Sequence, residues 1–136
     1  MGILKTPLKI RKDGGPVTIQ VLVENGEKGY TGVEMWTDVD QDHKIAPDID
    51  HRNVLKHVSE PPDDPATCDP EELTGKFLLY GWRTLRRYGS NGKWRVEIVI
   101  RQGDAAVEGC PAPQTGKYKD GENVNDGWVA QWVEVA

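Results

Sequence analysis

Over residues 76–103 the chain alternates apolar and polar side chains along two long arms, and no other stretch limits its fold so sharply. The arms cover residues 77–86 and 93–102, with Gly89-Ser90-Asn91-Gly92 between them. In the second arm Trp94, Val96, Ile98 and Ile100 share one parity, while Arg95, Glu97, Val99 and Arg101 share the other. Strand side chains alternate across a sheet, so this period of two predicts one buried face and one wetter face. Glycine and asparagine accept the positive φ of a tight connection, which predicts a β-hairpin.

The same pattern recurs elsewhere. Val17, Ile19, Val21 and Val23 alternate with Thr18, Gln20, Leu22 and Glu24, and residues 30–37 read as their partner strand, with Val33 and Met35 on one face. Leu4, Leu8 and Ile10 predict a short edge strand, the one place in a sheet where Pro7 is tolerated. Residues 128–135 read as a closing strand with Trp128 and Trp132 inward, like Trp94, and Gln131 outward. With 136 residues, one real core can be buried without metal or disulfide staples. The pattern predicts an all-β fold, a single-domain antiparallel β-sandwich over residues 1–136, Ig-like or jelly-roll.

Residues 38–75 break the alternation. They hold eleven acidic and three basic residues, five of the nine prolines, and no glycine before Gly75. This predicts a long, stiff acidic Pro-rich loop inserted in the sandwich. Arg52 to Ser59 fits a strand or a helical turn equally. Within the insertion, Asp69-Pro70-Glu71-Glu72-Leu73 followed by Gly75 predicts one capped helical turn: an N-cap, proline at the first position, glutamate three residues after the cap, glycine beyond the end. The octapeptide Gly89-Ser90-Asn91-Gly92-Lys93-Trp94-Arg95-Val96 resembles the Asn-Gly-x-Trp hairpin of jelly-roll accessory domains in subtilisin-like proteases. That likeness implies no function for the whole chain.

Catalytic chemistry finds little support. No Gly-x-Ser-x-Gly is present, Ser59 and Ser90 lie beside prolines or in a turn, and Cys68 has no activating neighbours in the sequence. A small hydrolase is therefore only the third reading. Asp38, Asp40 and Asp42 at alternate positions begin as a calcium loop begins, because Ca²⁺ gathers many oxygens around one point. The helical calcium-loop template then fails at His43 and Ile49. A Ca²⁺ site in a β-loop, with Asp48 or Asp50 added, is the one cofactor expected as an option; the bland reading is a solvated acidic loop. His43, His51 and His57 lack the tight spacing of a zinc pair. Cys68 and Cys110 are read either as one disulfide or as two free thiols.

Charge is segregated. Residues 38–75 carry three minus eleven, or −8, and residues 76–101 carry seven minus one, or +6. Arg83, Arg86, Arg87 and Arg95, with Tyr88, Trp82 and Trp36 nearby, make the candidate basic and aromatic face. A net charge of −5 and a pI of about 5.2 argue against nucleic acid. The expected role is a non-catalytic binding or assembly module that engages a protein partner or copies of itself. The alternative is a carbohydrate-binding sandwich using exposed Trp and Tyr, calcium-assisted or not. No apolar run has transmembrane length, and the first thirty residues do not read as a secretory signal. Both a cytoplasmic chain and a part of an extracellular or virion assembly fit that reading.

Overall fold

The computed structural model describes residues 2–25, 27–36, 52–58, 65–87 and 91–136. Among these residues eleven strands run in chain order: β1 (Gly2–Ile3), β2 (Leu8–Ile10), β3 (Val17–Asn25), β4 (Glu27–Trp36), β5 (Arg52–Val58), β6 (Ala66–Cys68), β7 (Phe77–Leu85), β8 (Lys93–Gln102), β9 (Ala105–Ala106), β10 (Gln114–Lys117) and β11 (Val124–Val135). One helical turn, α1 (Pro70–Leu73), lies between β6 and β7, and the Glu72 carboxylate accepts the Asp69 N–H as the capping pattern requires.

The strands form two sheets packed face to face. The six-stranded sheet runs β1-β11-β7-β4-β5, with β2 also on β11, and the five-stranded sheet runs β10-β8-β3-β6, with β9 on β8. Position by position the two orders pair chain neighbours: β11 with β10, β7 with β8, β4 with β3, and β5 with β6. The chain therefore crosses from sheet to sheet at each of these connections, which is the wrap of a jelly roll.

This corrects both predicted hairpins. Strand β7 pairs with β4 and β11, and β8 pairs with β3 and β10, so the connection after β7 bridges the layers. The same holds for β3 and β4. Alternation fixes which face of a strand is buried and leaves open whether its chain neighbour lies beside it or across the core. Within the acidic stretch, β5 and β6 are strands of the two sheets, which for residues 52–58 decides for strand over helical turn. Pairing is antiparallel except at one edge, where β1 and β2 run parallel to β11 on either side of Pro7.

The core between the sheets holds Val17, Ile19 and Val21 of β3, Val33 and Met35 of β4, Leu78, Tyr80 and Trp82 of β7, and Val96, Ile98 and Ile100 of β8. Leu8 and Ile10 of β2, together with Val129 and Val133 of β11, close it at the edge. The parity expected for β11 is reversed. Val129, Gln131 and Val133 point inward, and Trp128, Ala130 and Trp132 point outward. Both parities of this strand are apolar, so size misleads. A glutamine faces inward because it is fully bonded there: Tyr80 Oη donates to its Oε1 at 2.6 Å, and its Nε2 donates to the carbonyls of Gly109 at 2.9 Å and Thr6 at 3.2 Å. Gly109 has φ +88°, and a Cβ there would stand 2.1 Å from the Pro7 carbonyl oxygen, so only glycine fits at this crossing.

Candidate binding face

The outer surfaces of the two sheets differ in kind. On the five-stranded sheet β8 presents Arg95, Glu97, Val99 and Arg101 beside Thr18, Gln20, Leu22 and Glu24 of β3. That face is polar, as expected for a sheet meeting water. Arg95 is ion-paired to Glu24. A hydrogen bond shared with Glu97 holds the Glu24 carboxyl below its ordinary range, Arg95 lowers it further, and the same bond raises Glu97.

The outer face of the six-stranded sheet is aromatic. Its register places Trp36, Phe77 and Trp132 side by side across β4, β7 and β11. The neighbouring ranks are Glu34, Leu79, Ala130 and Ile3, then Gly32, Gly81 and Trp128, then Tyr30, Arg83 and Asp126. Phe77 and Ala130 are fully buried, with Leu79, Trp128 and Trp132 half-buried around them. Phe77 meets Trp132 edge to face, with ring centroids 5.4 Å apart and planes at 65°. Beside them a cleft of about 470 Å³ opens where the chain leaves β1 and returns as β2, lined by Ile3, Leu4, Lys5, Pro7, Phe77, Trp132 and Glu134.

Two pairs of polar groups on this face meet each other. Trp36 Nε1 donates to Glu34 Oε2 at 3.1 Å. The Arg83 guanidinium donates twice to Asp126, at 2.6 and 2.9 Å, and lies 5.7 Å from the centre of the Tyr30 ring. That bidentate contact holds the Asp126 carboxyl below its ordinary range and raises Arg83.

The residues expected to form one basic and aromatic surface are therefore dispersed. Arg83 and Arg95 lie on opposite faces of the sandwich, because β7 and β8 belong to different sheets. Arg86 and Arg87 are exposed past the end of β7, and Tyr88 falls outside the described residues. Trp82 points inward at 2% exposure, so it offers no ring to a ligand. Trp36 does lie on the outer face, but at 9% exposure its ring is packed rather than presented. Asp38, Asp40 and Asp42 lie outside the described residues; among the described ones no group of three metal-ligating side chains forms. The strands β7 and β11 carry the members of the face that sequence reading overlooked: Phe77, Leu79, Trp128 and Trp132. The unbroken apolar run Phe77-Leu78-Leu79-Tyr80 was the available signal, since a strand apolar on both parities is covered on both faces.

Cys68 and Cys110 are free thiols. Cys68 sits on β6 opposite Val17, while Cys110 Sγ contacts the Ile98 carbonyl of β8 at 3.1 Å. Strand β6 is two positions from β8, about 10 Å at ordinary strand spacing, beyond the reach of a disulfide. Burial, aided by Glu72 and then Asp69, pushes the Cys68 thiol up to about 12, and burial also raises Cys110 and the Tyr80 phenol. All three stay protonated in the folded chain when their unfolded counterparts ionise. Their stabilising effect is complete below the ordinary thiol range, declines above it, and for Cys68 is spent by about pH 12. Native protein at pH 8 is expected to leave Cys68 unmodified by a chromogenic thiol reagent and to label Cys110 slowly. The denaturation midpoint should then fall steadily from pH 9 upward; prompt labelling of both thiols would contradict the packing of β6.

No family model matches the chain, and neither a curated protein nor a solved structure matches it.

Proposed function

We propose that this chain is a non-catalytic binding and assembly module that presents the outer face of its six-stranded sheet to a protein partner. One observation carries the reading: two outer sheet faces of one sandwich, one polar and one aromatic. Trp128, Leu79 and Trp132 are half-buried around the fully buried Phe77 and Ala130, and an aromatic cluster of this kind on an outer sheet face is the composition of an interaction surface. Large aromatic anchors ringed by satisfied polar groups are the usual composition of protein interfaces. Arg83 is paired with Asp126 on this face, so the aromatic surface rather than the basic set is what a partner would recognise. A saccharide stacks on ring faces that are open and share a plane; here Trp132 is tilted 65° from Phe77, and Trp36 is packed.

The test is to size the chain by gel filtration in extracts of the cells that produce it, beside a Trp128→Ser/Trp132→Ser variant. Wild-type chain should run in a larger particle and the variant as the free chain. Equal free-chain elution for both would overturn the reading. Protection of the tryptophans from acrylamide quenching by a glycan, with no change in particle size, would replace it by the carbohydrate alternative.

A further inference from the structure

We infer that β10, the open edge of the five-stranded sheet, takes an extended acidic segment of a protein partner as an added strand. This surface lies on the other sheet from the aromatic face and does not depend on it. Strand β10 pairs with β8 on one side, and among the described residues no strand lies on its other side. Register and one further bond fix which of its groups are free. The Tyr118 N–H donates to the Gly92 carbonyl at 2.8 Å, one position beyond the pair Lys117–Lys93. Bonded and non-bonded pairs alternate along an antiparallel ladder, so Gly116 and Gln114 also bond to β8. Thr115 and Lys117 then turn their N–H and C=O groups to the open side, where neither has a backbone partner among the described residues. A peptide backbone completes such a row; a phosphate or sugar backbone does not.

Charge selects the strand. The same alternation makes Lys117 and Lys93 a non-bonded pair, the position where facing side chains come closest and where like charges repel. Both are exposed, and neither has an ion pair among the described residues. Lys119 follows two residues on, and the Arg86 guanidinium lies over Gly92, where a Cβ would stand 3.0 Å from Nη2. Arg95, opposite Thr115, is already paired to Glu24. Over residues 86–87, 91–93 and 117–122 the charge is five minus two (the acids are Asp120 and Glu122), or +3, in a chain of net −5. A lysine on an edge strand guards against pairing with other edges, and Lys117 alone would serve for that. Lys93 stands on the inner strand, where it guards no edge, yet it meets Lys117 at the closest position. The pair refuses a second β10, which carries the same charge. An added strand with carboxylates at alternate positions lays all of them on the lysine face.

The test is a nuclear magnetic resonance titration of the purified full chain with a synthetic peptide of about eight residues alternating Glu and Thr, taken to about 1 mM to reach weak binding. The Thr115 and Lys117 amide signals should shift and exchange more slowly with solvent. Lys93→Glu and Lys117→Glu should each weaken binding about fivefold to tenfold, and the double variant should bind instead a peptide alternating Lys and Thr. Thr115→Pro removes an N–H that β8 does not use, on an edge where proline is tolerated, so the charge stays and binding should fall about tenfold. A peptide N-methylated at its Glu residues should lose as much, with the chain itself unaltered. No shift of these amides at about 1 mM overturns the inference. Binding that both Thr115→Pro and N-methylation leave unchanged overturns it too, because charge alone would then hold the peptide. A single-stranded oligonucleotide or sulfated saccharide that shifts the same amides more tightly than the peptide would assign the cations to a polyanion and also overturn it. Trp128→Ser/Trp132→Ser should leave the titration unchanged, so this outcome and that of the aromatic face are read separately.

Discussion

Gln131→Ala is expected to destabilise the fold by about 2–4 kcal/mol, because the buried Tyr80 hydroxyl and two part-buried carbonyls lose their partner at once and a buried group left unmatched costs about 1–3 kcal/mol. The groups are the Tyr80 hydroxyl and the carbonyls of Thr6 and Gly109. They belong to three separate parts of the chain, and the Gln131 amide ties all three to β11 in addition to the strand ladders. Chemical denaturation at neutral pH measures the loss. Glu97→Ala, on the polar face of β8, is the control and should change stability by no more than about 0.5 kcal/mol. If Gln131 proves as mild as Glu97, the inward parity of β11 is wrong and the aromatic outer face disappears with it.

Trp82→Ala should cost about 3–5 kcal/mol, the range for truncating a large buried aromatic. The Trp82 ring lies 6.1 Å from that of Trp94, centroid to centroid, and its Nε1 donates to Asn125 Oδ1 at 3.3 Å. It also lies across Gly127, its register partner on β11, where a Cβ would stand 2.4 Å from the indole. Gly127→Ala alone should therefore cost about 1–3 kcal/mol by overpacking, although alanine is the better strand residue. Made in the Trp82→Ala background the same substitution should be harmless, since the ring that excludes it has gone. Denaturation curves for the two single variants and the double variant decide the matter, and simple additivity would refute direct packing of ring on glycine.

Much of the fold was legible because burial on one face leaves a period of two in the sequence. The inward rows of β3 and β8 can be read directly, as can the helical turn from Asp69, whose capping residues act within one turn. The pairing of strands could not be read, because Val96 and Ile98 meet the same apolar surroundings whether β7 is a neighbour or an opposite layer. Side-chain volume misassigned β11: Trp128 and Trp132 looked like core, and Gln131 looked like surface. The amide faces inward because partners distant in sequence satisfy it, and no local pattern records them. The candidate face was hidden for the same reason. Its members come from β4, β7 and β11, and only the register of three strands brings Trp36, Phe77 and Trp132 into one row.

The placement of β11 sets an order of events during synthesis. This strand lies between β7 on one side and β1 and β2 on the other, so the N-terminal strands have no sheet to join until it is available. While the intervening chain is being made, Leu8 and Ile10 stay exposed, and the six-stranded sheet keeps an open edge along β7. Closing so long a loop is slow and leaves sticky surface uncovered for its duration. The newly made chain is thus most vulnerable to aggregation just before β11 arrives, and a holding chaperone would act on the edge that β11 later seals.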